Sequence, residues 1–368
     1  MMQQLLYNNG MKKILKVAVG LSGGVDSSLA AVLLKRNYNV EGVTIRLHES
    51  FSSGLNQSSC GNEEAVERAQ KAADELAVPL HVINASEDFF NKTLKKCWEA
   101  FEKGQTPNPC HICNKTVKFS KLWETAEKIG ADRIATGHYA RITSDTKNRP
   151  VLKRGIDRKK DQSYFLSGVS QEILRHTLFP LGEMKKSEVR ELAAHYNLSN
   201  ADQSESQDLC FASRGKHFSN ILQEKFKGRS FTGVFIDETG KVLGTHEGTH
   251  QYTIGQRRGL GFATGSRMKI ISINPVTGII TVSDREEAAH KEDCTARPFQ
   301  WYSDPLLAGD SVIAQLRYKQ NPAEAVITET DNLSVSVRFS NPVFGVTPGQ
   351  ILVLYRDDCV LGWGTITC

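Results

Sequence analysis

The chain has 368 residues, 39% hydrophobic and 24% charged, with 46 Lys and Arg against 41 Asp and Glu for a net charge of +5. That length predicts two or three domains rather than one small core, and the charge admits a polyanionic partner without requiring one. No apolar run approaches the roughly 20 residues of a membrane span, and the opening "MMQQLLYNNG" lacks the features of a secretion signal, so a cytoplasmic protein with no membrane partner is expected.

The first half alternates strand and helix patterns. A buried strand is predicted from Ile14 to Leu21, followed by a helix carrying Leu29, Val32 and Leu33, and a second strand spans Val40 to Leu47. A polar loop (48–62) leads to a helix with Val66, Ala69, Ala73 and Leu76 on one face. "LHVIN" is the next strand, and Phe90, Leu94, Trp98 and Phe101 line the helix after it. Two prolines in "TPNPC" break that helix, another is predicted from about Asn114 to Ile129, and "ADRIATGHYA" is a strand ending in a Gly-His turn. This alternation predicts a doubly wound parallel α/β sheet, with ligands at the carboxyl ends of its strands. Past about residue 205 the texture becomes short strands and Gly-rich turns, including "MKIISINPVTGIITVSD" and nearly everything from Ser311 to Thr367. The expected organisation is an α/β catalytic domain (11–205), a small linking domain (206–284) and a C-terminal all-β, barrel-like domain (285–368).

The turn between the first strand and helix reads "SGGVDSS", residues 22–28. A helix N-terminus offers unpaired N–H groups and partial positive charge, Gly23 and Gly24 let a ligand approach the backbone, and Ser22, Ser27 and Ser28 add hydroxyls. The plainer reading, a strand–helix turn capped by Asp26, fits the short motif as well. The string lacks the Lys of the G-x-x-x-x-G-K-[ST] loop. It resembles instead the pyrophosphate-binding loop of the ATP pyrophosphatases, which cleave ATP between its α and β phosphates. That resemblance implies ATP as cosubstrate and Asp26 as a residue that helps hold Mg²⁺.

Eight cysteines, at 60, 97, 110, 113, 210, 294, 359 and 368, suggest reduced thiols in a chain of this kind. Cys110 and Cys113 form a C-x-x-C that has no second ligand pair for zinc. Two packed thiols at a helix start is one reading. A reactive thiolate is the other, since Cys113 is placed at the start of a helix rich in Lys115, Lys118 and Lys121. Lowering a thiol from about 8.5 to about 7 raises its thiolate fraction at neutral pH from roughly 3% to roughly half. Cys210 lies in the polar stretch "ADQSESQDLCFAS", where packing alone would not place it.

Taken together, "GLSGGVDSS", "GQTPNPCHICNKTVKF", "ATGHYAR", "KDQSYFL", "SESQDLCF", "HQYTIGQRRGLG", "LRYKQ" and "VTPGQ" resemble, in order and over nearly the whole chain, the tRNA-specific 2-thiouridylases (MnmA/TrmU). That family replaces the C2 oxygen of the wobble uridine (position 34) by sulfur after adenylating it with ATP. The resemblance implies that Cys210 carries a persulfide delivered by a sulfur-relay protein. It implies that Cys113 is the other catalytic thiol, acting as nucleophile or releasing sulfur by forming a disulfide with Cys210. By the same resemblance, Gly20, Leu21, Ser22, Gly23, Gly24, Val25, Asp26, Ser27, Ile45 and Gly137 are ATP-binding positions. Asn108, Pro109 and Cys110 match the loop that meets the target base. Lys160, Asp161, Gln162, Arg317 and Tyr318 match tRNA-contacting positions, as do His138 and Gln350; His138 reads equally well as a hydrogen-bonded turn residue.

Two departures matter. Position 110 is Cys where some members have Asp, which puts a general-base role there in doubt, and Phe-Ala-Ser follows Cys210 where many members have Phe-Ile-Gly. Three readings compete with a persulfide route. An iron–sulfur cluster held by Cys110, Cys113 and Cys210 would serve the same thiolation. A different ATP-pyrophosphatase synthetase is the second, and a non-catalytic tRNA-binding protein the third.

Overall fold

The computed structural model describes residues 14–48, 61–202, 217–228 and 232–367. Its first part alternates as β1 (Lys16–Gly20), α1 (Val25–Lys35), β2 (Asn39–Arg46), α2 (Glu63–Glu75) and β3 (Leu80–Asn84). Then come α3 (Ser86–Phe89), α4 (Lys95–Glu102), α5 (Pro109–Cys113), α6 (Phe119–Lys128) and β4 (Arg133–Thr136). A hairpin of β5 (Ala140–Ser144) and β6 (Pro150–Arg154) precedes α7 (Ser163–Leu166), α8 (Gln171–Arg175), β7 (Thr177–Leu178) and α9 (Lys186–His195). The five strands β3-β2-β1-β4-β7 form one sheet, and every pairing in it is parallel. Val17, Ala18 and Val19 of the central strand are all fully buried, as expected of a strand covered on both faces. Val17 and Val19 pack with α1 and α9, and Ala18 with α6. The chain runs from β1 outward to β3, then crosses to β4 on the other side of β1, so the strand order reverses at β1 and β4.

Two helices differ from expectation. The helix predicted from Asn114 begins five residues earlier, at Pro109, and α5 runs into α6 through a π-helical turn at Asn114–Lys118. The cause is local: Asn108 accepts a hydrogen bond from the His111 N–H at 3.0 Å, and Pro109 occupies the first helical position. Cys113 therefore sits a full turn inside the helix rather than at its start. A second π-turn, Phe90–Leu94, joins α3 to α4.

After α10 (Phe218–Phe226), a four-stranded mixed sheet of order β10-β11-β8-β9 forms from β8 (Gly233–Ile236), β9 (Val242–His246), β10 (Lys269–Asn274) and β11 (Ile279–Ser283). Its core is Phe235, Leu260, Ile270, Ile280 and Val282. The C-terminal strands are β12 (His290–Trp301), β13 (Ser311–Gln315), β14 (Ala323–Thr330), β15 (Val335–Phe344), β16 (Ile351–Arg356) and β17 (Cys359–Ile366). They run in the order β12-β15-β14-β13-β16-β17, and a β12–β17 pairing closes an antiparallel barrel.

The barrel is fused to the first domain. The start of β17 also pairs with β6, Cys359 against Lys153, so the β5–β6 hairpin extends the barrel's sheet. On β16, Leu352 and Leu354 fill the barrel interior while Ile351, Val353 and Tyr355 pack outward with Phe119, Leu122, Tyr164 and Leu166. This two-residue alternation explains why Ile351 through Tyr355 are all buried.

Candidate active site

The site is built where β1 ends. Gly24 caps α1 without any side-chain hydrogen bond, leaving the first-turn N–H groups uncapped by a side chain. Gly23 has φ +74°, and a Cβ there would fall 2.5 Å from the Arg68 backbone of α2, so only glycine fits. Side chains brace the turn from within. Ser27 Oγ accepts from the Ser22 N–H at 3.2 Å and donates to the Gly24 carbonyl at 2.9 Å. Asn200 Nδ2 donates to the Gly23 carbonyl and to Ser28 Oγ, each at 2.9 Å. A cleft of about 370 Å³ beside Gly23 is lined by Arg68, Lys71, Ala72, Ser199 and Asn200.

The loop after β4 closes the other side. A Cβ on Gly137 would lie 2.6–2.8 Å from backbone atoms of Asp26 and Ser27, so this loop is pressed against the first turn of α1. Gly20 to Ser27 and Gly137, predicted as one nucleotide site, are thus brought into one place. Leu21 and Val25 are buried, so their side chains belong to the core beneath the turn. Leu21 N–H donates to the Val43 carbonyl at 2.8 Å, and Ile45 stands two residues further along β2, at the same end of the sheet.

Asp26 is the charged centre. Lys186 Nζ, from the first residue of α9, donates to its Oδ1 at 2.6 Å, and the Tyr139 hydroxyl donates to the same oxygen at 2.7 Å. Oδ2 has no protein partner among the described residues, and a third of the side chain is exposed. Lys186, Tyr139 and Asn200 were not singled out from the sequence. Each comes from a distant or unremarked stretch, and only "GHYA" held a hint, through Tyr139's neighbour His138.

The 109–128 helix joins this site to the thiols. Phe119 packs against His138, ring centroids 5.8 Å apart, and Cys113 lies six residues back along the same continuous helix. His138 Nδ1 is hydrogen-bonded to Thr136 Oγ1 at 2.8 Å, and burial beside Lys118 drives its pKa down to about 3. Cys110 and Cys113, three residues apart, share a face. Cys113 is buried in an apolar cluster with Trp98, Leu94 and Leu222. Cys97 in the same cluster senses both thiols, and burial pushes its own thiol well above the ordinary range. No disulfide joins the described cysteines, and no group of metal-ligating side chains forms among the described residues. Cys210 lies outside the described residues, and with it the expected Cys113–Cys210 disulfide and the alternative three-cysteine cluster. The structure lends the disulfide no support.

The predicted tRNA-contacting residues are mostly engaged within the protein. Asn108 caps α5 and is 8% exposed. Asp161 is 7% exposed and accepts from the Gly155 N–H at 3.0 Å, the Ser163 N–H at 3.1 Å and the Ser163 hydroxyl at 2.9 Å. Burial raises its pKa above the usual carboxylate value. Gln162 Oε1 accepts from the Tyr139 N–H at 2.9 Å, and the Lys160 N–H donates to the Asp157 carbonyl. Arg317 Nη2 donates to the Ile254 carbonyl at 2.9 Å, the Gly345 carbonyl at 2.7 Å and Thr347 Oγ1. Tyr318 packs on Phe165 with centroids 4.3 Å apart. Gln350 Nε2 donates to the carbonyls of Thr106 (2.9 Å) and Pro107 (3.3 Å), and the Thr106 N–H donates to the Pro348 carbonyl. The loop before Cys110 is thereby clamped to the barrel, while Thr106 Oγ1 meets Thr253 Oγ1 of the middle domain at 3.2 Å. Pro109 and Cys110 follow directly on that three-way junction.

Fold and site together define a HUP-type nucleotide-binding protein extended by two β-domains. Family models match accordingly: the tRNA methyl transferase HUP domain over residues 15–214, the tRNA methyl transferase PRC-barrel domain over 219–284, and the aminomethyltransferase β-barrel domain over 291–366. The chain is 39% identical over 357 residues to the tRNA-specific 2-thiouridylase MnmA of Clostridium acetobutylicum, covering 95% of this chain and 99% of the relative. It is 41% identical over 355 residues to that of Synechocystis, covering 95% and 96%. To that of Carboxydothermus hydrogenoformans it is 40% identical over 356 residues, covering 95% and 97%. The chain belongs to the MnmA family of tRNA-specific 2-thiouridylases.

Proposed function

We propose that this protein uses ATP to adenylate the C2 oxygen of the wobble uridine of tRNA and then replaces that oxygen by sulfur. The observation that carries the reading is the uncapped N-terminus of α1, held against Gly137 where the strand order reverses, with the Cys113 helix packed on the same loop. The C2 oxygen attacks the α-phosphorus, the bond to the bridging oxygen breaks, and pyrophosphate leaves with the electron pair. The N3 proton of the base goes to solvent as a C2–N3 double bond forms. First-turn N–H groups of α1 and the hydroxyls of Ser22 and Ser27 hold the phosphates. Asp26 suits Mg²⁺, because Oδ1 is fixed by Lys186 and Tyr139 while Oδ2 remains open; the ion, when bound, offsets phosphate charge.

Sulfur transfer follows family resemblance. A persulfide on Cys210, loaded by a sulfur-relay protein, attacks C2 and AMP departs. The Cys113 thiolate then attacks the Cys210 sulfur, leaving sulfur on the base and a Cys113–Cys210 disulfide, which an external dithiol reduces. Residues 11–205 would supply the chemistry, 206–284 the link, and 285–368 part of the tRNA surface. The target base must leave the anticodon stack to reach the site. A cytoplasmic setting suits both partners, and no described helix is long and apolar enough to cross a membrane.

The test is incubation with ATP, Mg²⁺, a sulfur source and unmodified tRNA, followed by nucleoside mass spectrometry. A 2-thiouridine peak lost in Cys113→Ser and Cys210→Ser supports the reading. Activity confined to anaerobic, iron-containing protein would favour the cluster route. If no sulfur enters under air or argon while a reference thiouridylase works, the assignment fails.

A further inference from the structure

We infer that Lys186 is a catalytic residue of this site, its ammonium stabilising the charge that gathers on pyrophosphate as it leaves the α-phosphorus. The inference rests on the reading that the Ser22–Ser28 turn cleaves ATP. The starting point is a deficit: "SGGVDSS" offers N–H groups and hydroxyls but no cation of its own. Breaking the Pα–O bond places a full additional charge on the departing oxygen, and a fixed positive group there lowers the barrier more than it aids binding.

Lys186 is placed to supply that charge. Its side chain is only 10% exposed, and its Nζ lies 2.6 Å from Oδ1 of Asp26, the second residue of α1. The ammonium therefore stands beside the turn whose N–H groups face the phosphates. It is held there from behind. The Lys186 backbone N–H donates to Asp157 Oδ2 at 3.0 Å, and Nζ lies 5.7 Å from the Tyr139 ring centroid. Tyr139 in turn donates to the same Asp26 oxygen. Arg68 and Lys71 belong to the cleft against Gly23, whereas Lys186 shares the Asp26 side with Gly137 and Tyr139. An ammonium has three N–H donors, so it can keep its bond to Asp26 and still donate to a phosphate oxygen. In the step itself Lys186 remains protonated: the uracil oxygen forms the new bond to phosphorus, and the bridging oxygen takes the electron pair and accepts a hydrogen bond from Nζ.

The plainer role is an ion pair that neutralises Asp26 and ties α9 to α1. One experiment separates the two. Single-turnover pyrophosphate release is measured with the full chain, saturating ATP, Mg²⁺ and unmodified tRNA, for wild type, Lys186→Met, Lys186→Arg and the double variant Asp26→Asn/Lys186→Met. Calorimetry with α,β-methylene ATP and a melting curve accompany each, and rates are read well below the lowest melting temperature. The expected result is a loss of about 100-fold or more in Lys186→Met, with analogue affinity changed less than about tenfold and partial recovery in Lys186→Arg. The double variant should regain melting temperature without regaining rate. A Lys186→Met rate at saturating ATP close to wild type overturns the inference and leaves the plain ion pair. Wild type that releases no pyrophosphate overturns the ATP-cleavage reading itself, and this inference with it.

Discussion

Asp26 and Asp161 both occupy motif positions, and their surroundings divide the candidate site into two kinds of region. At the strand–helix turn, Asp26 has one oxygen held by Lys186 and Tyr139 and the other open, beside a helix end that no side chain caps. In the 157–163 turn, Asp161 is closed in, accepting from Gly155 and twice from Ser163, with Arg154 Nη1 at 3.9 Å. Asn108, Gln162, Arg317 and Gln350 follow the second pattern, donating or accepting within the protein. The strand–helix turn keeps hydrogen-bonding capacity open, while much of the predicted tRNA region uses its polar groups to hold surfaces in place. A residue in a recognition motif can thus act by shaping the surface an RNA meets.

The contrast is broken most directly at Cys113. Cys113→Ser should reduce 2-thiouridine to background while pyrophosphate release persists, because the thiol and the phosphate turn are separate parts; loss of both signals would merge them. Gly137→Ala should weaken ATP binding by at least about tenfold, since the added Cβ meets Asp26 and Ser27 backbone that cannot swing away. Calorimetric titration reads this, and unchanged affinity would mean that α1 and the Gly137 loop separate at no cost.

Asp161 sharpens the other side. Asp161→Ala leaves the buried Gly155 and Ser163 N–H groups without an acceptor, while the Ser163 hydroxyl keeps Tyr355, and should cost about 3 kcal/mol in denaturant melts. Asp161→Asn keeps an acceptor for both N–H groups and should cost less than about 1 kcal/mol, with tRNA affinity unaltered. Weaker tRNA binding at unchanged stability in the Asn variant would instead make Asp161 an RNA contact.

His111 and His138, both held neutral by burial with pKa values near 3, set an acid limit. His111 is wedged between Gly168 and Trp363, its ring 4.7 Å from the indole and its Nε2 without a hydrogen-bond partner among the described residues. A base with a depressed folded pKa contributes stability that is present above its unfolded value, about 6.5, and lost as pH falls toward 3. Urea midpoints should therefore decline across that window, and less steeply in His111→Gln. Gln350→Ala tests the clamp between the barrel and the loop before Cys110. Losing the bonds to Thr106 and Pro107 should cost about 1 kcal/mol in a denaturant melt.

The sequence made legible what depends on neighbours along the chain. Strand β1, helix α1 and the turn between them stand where the apolar run, glycines and serines place them, and the β10–β11 hairpin follows "NPVTG". The start of the Cys113 helix was missed because a cap decides it, and Asn108 with Pro109 read as a breaker rather than a beginning. The bracket around Asp26 was not legible at all. Lys186 and Asn200 lie more than 150 positions from the groups they hold, and nothing in their local strings marks them as partners of the strand–helix turn. Nor did any pattern show that β16 would be covered on both sides, one by the barrel interior and one by the first domain.

The β5–β6 hairpin carries a consequence for synthesis. Its partner edge on β17 begins at Cys359, paired with Lys153, so roughly 200 residues must be translated after the hairpin before the two can meet. At about 5–20 residues per second, that is an interval of roughly 10–40 s in which β6 leaves the ribosome without its neighbour. Pro150 at the start of β6, and the ion pair from Arg149 to Asp145 across the hairpin's turn, lie on a hairpin whose outer edge must stay unpaired and soluble through that wait.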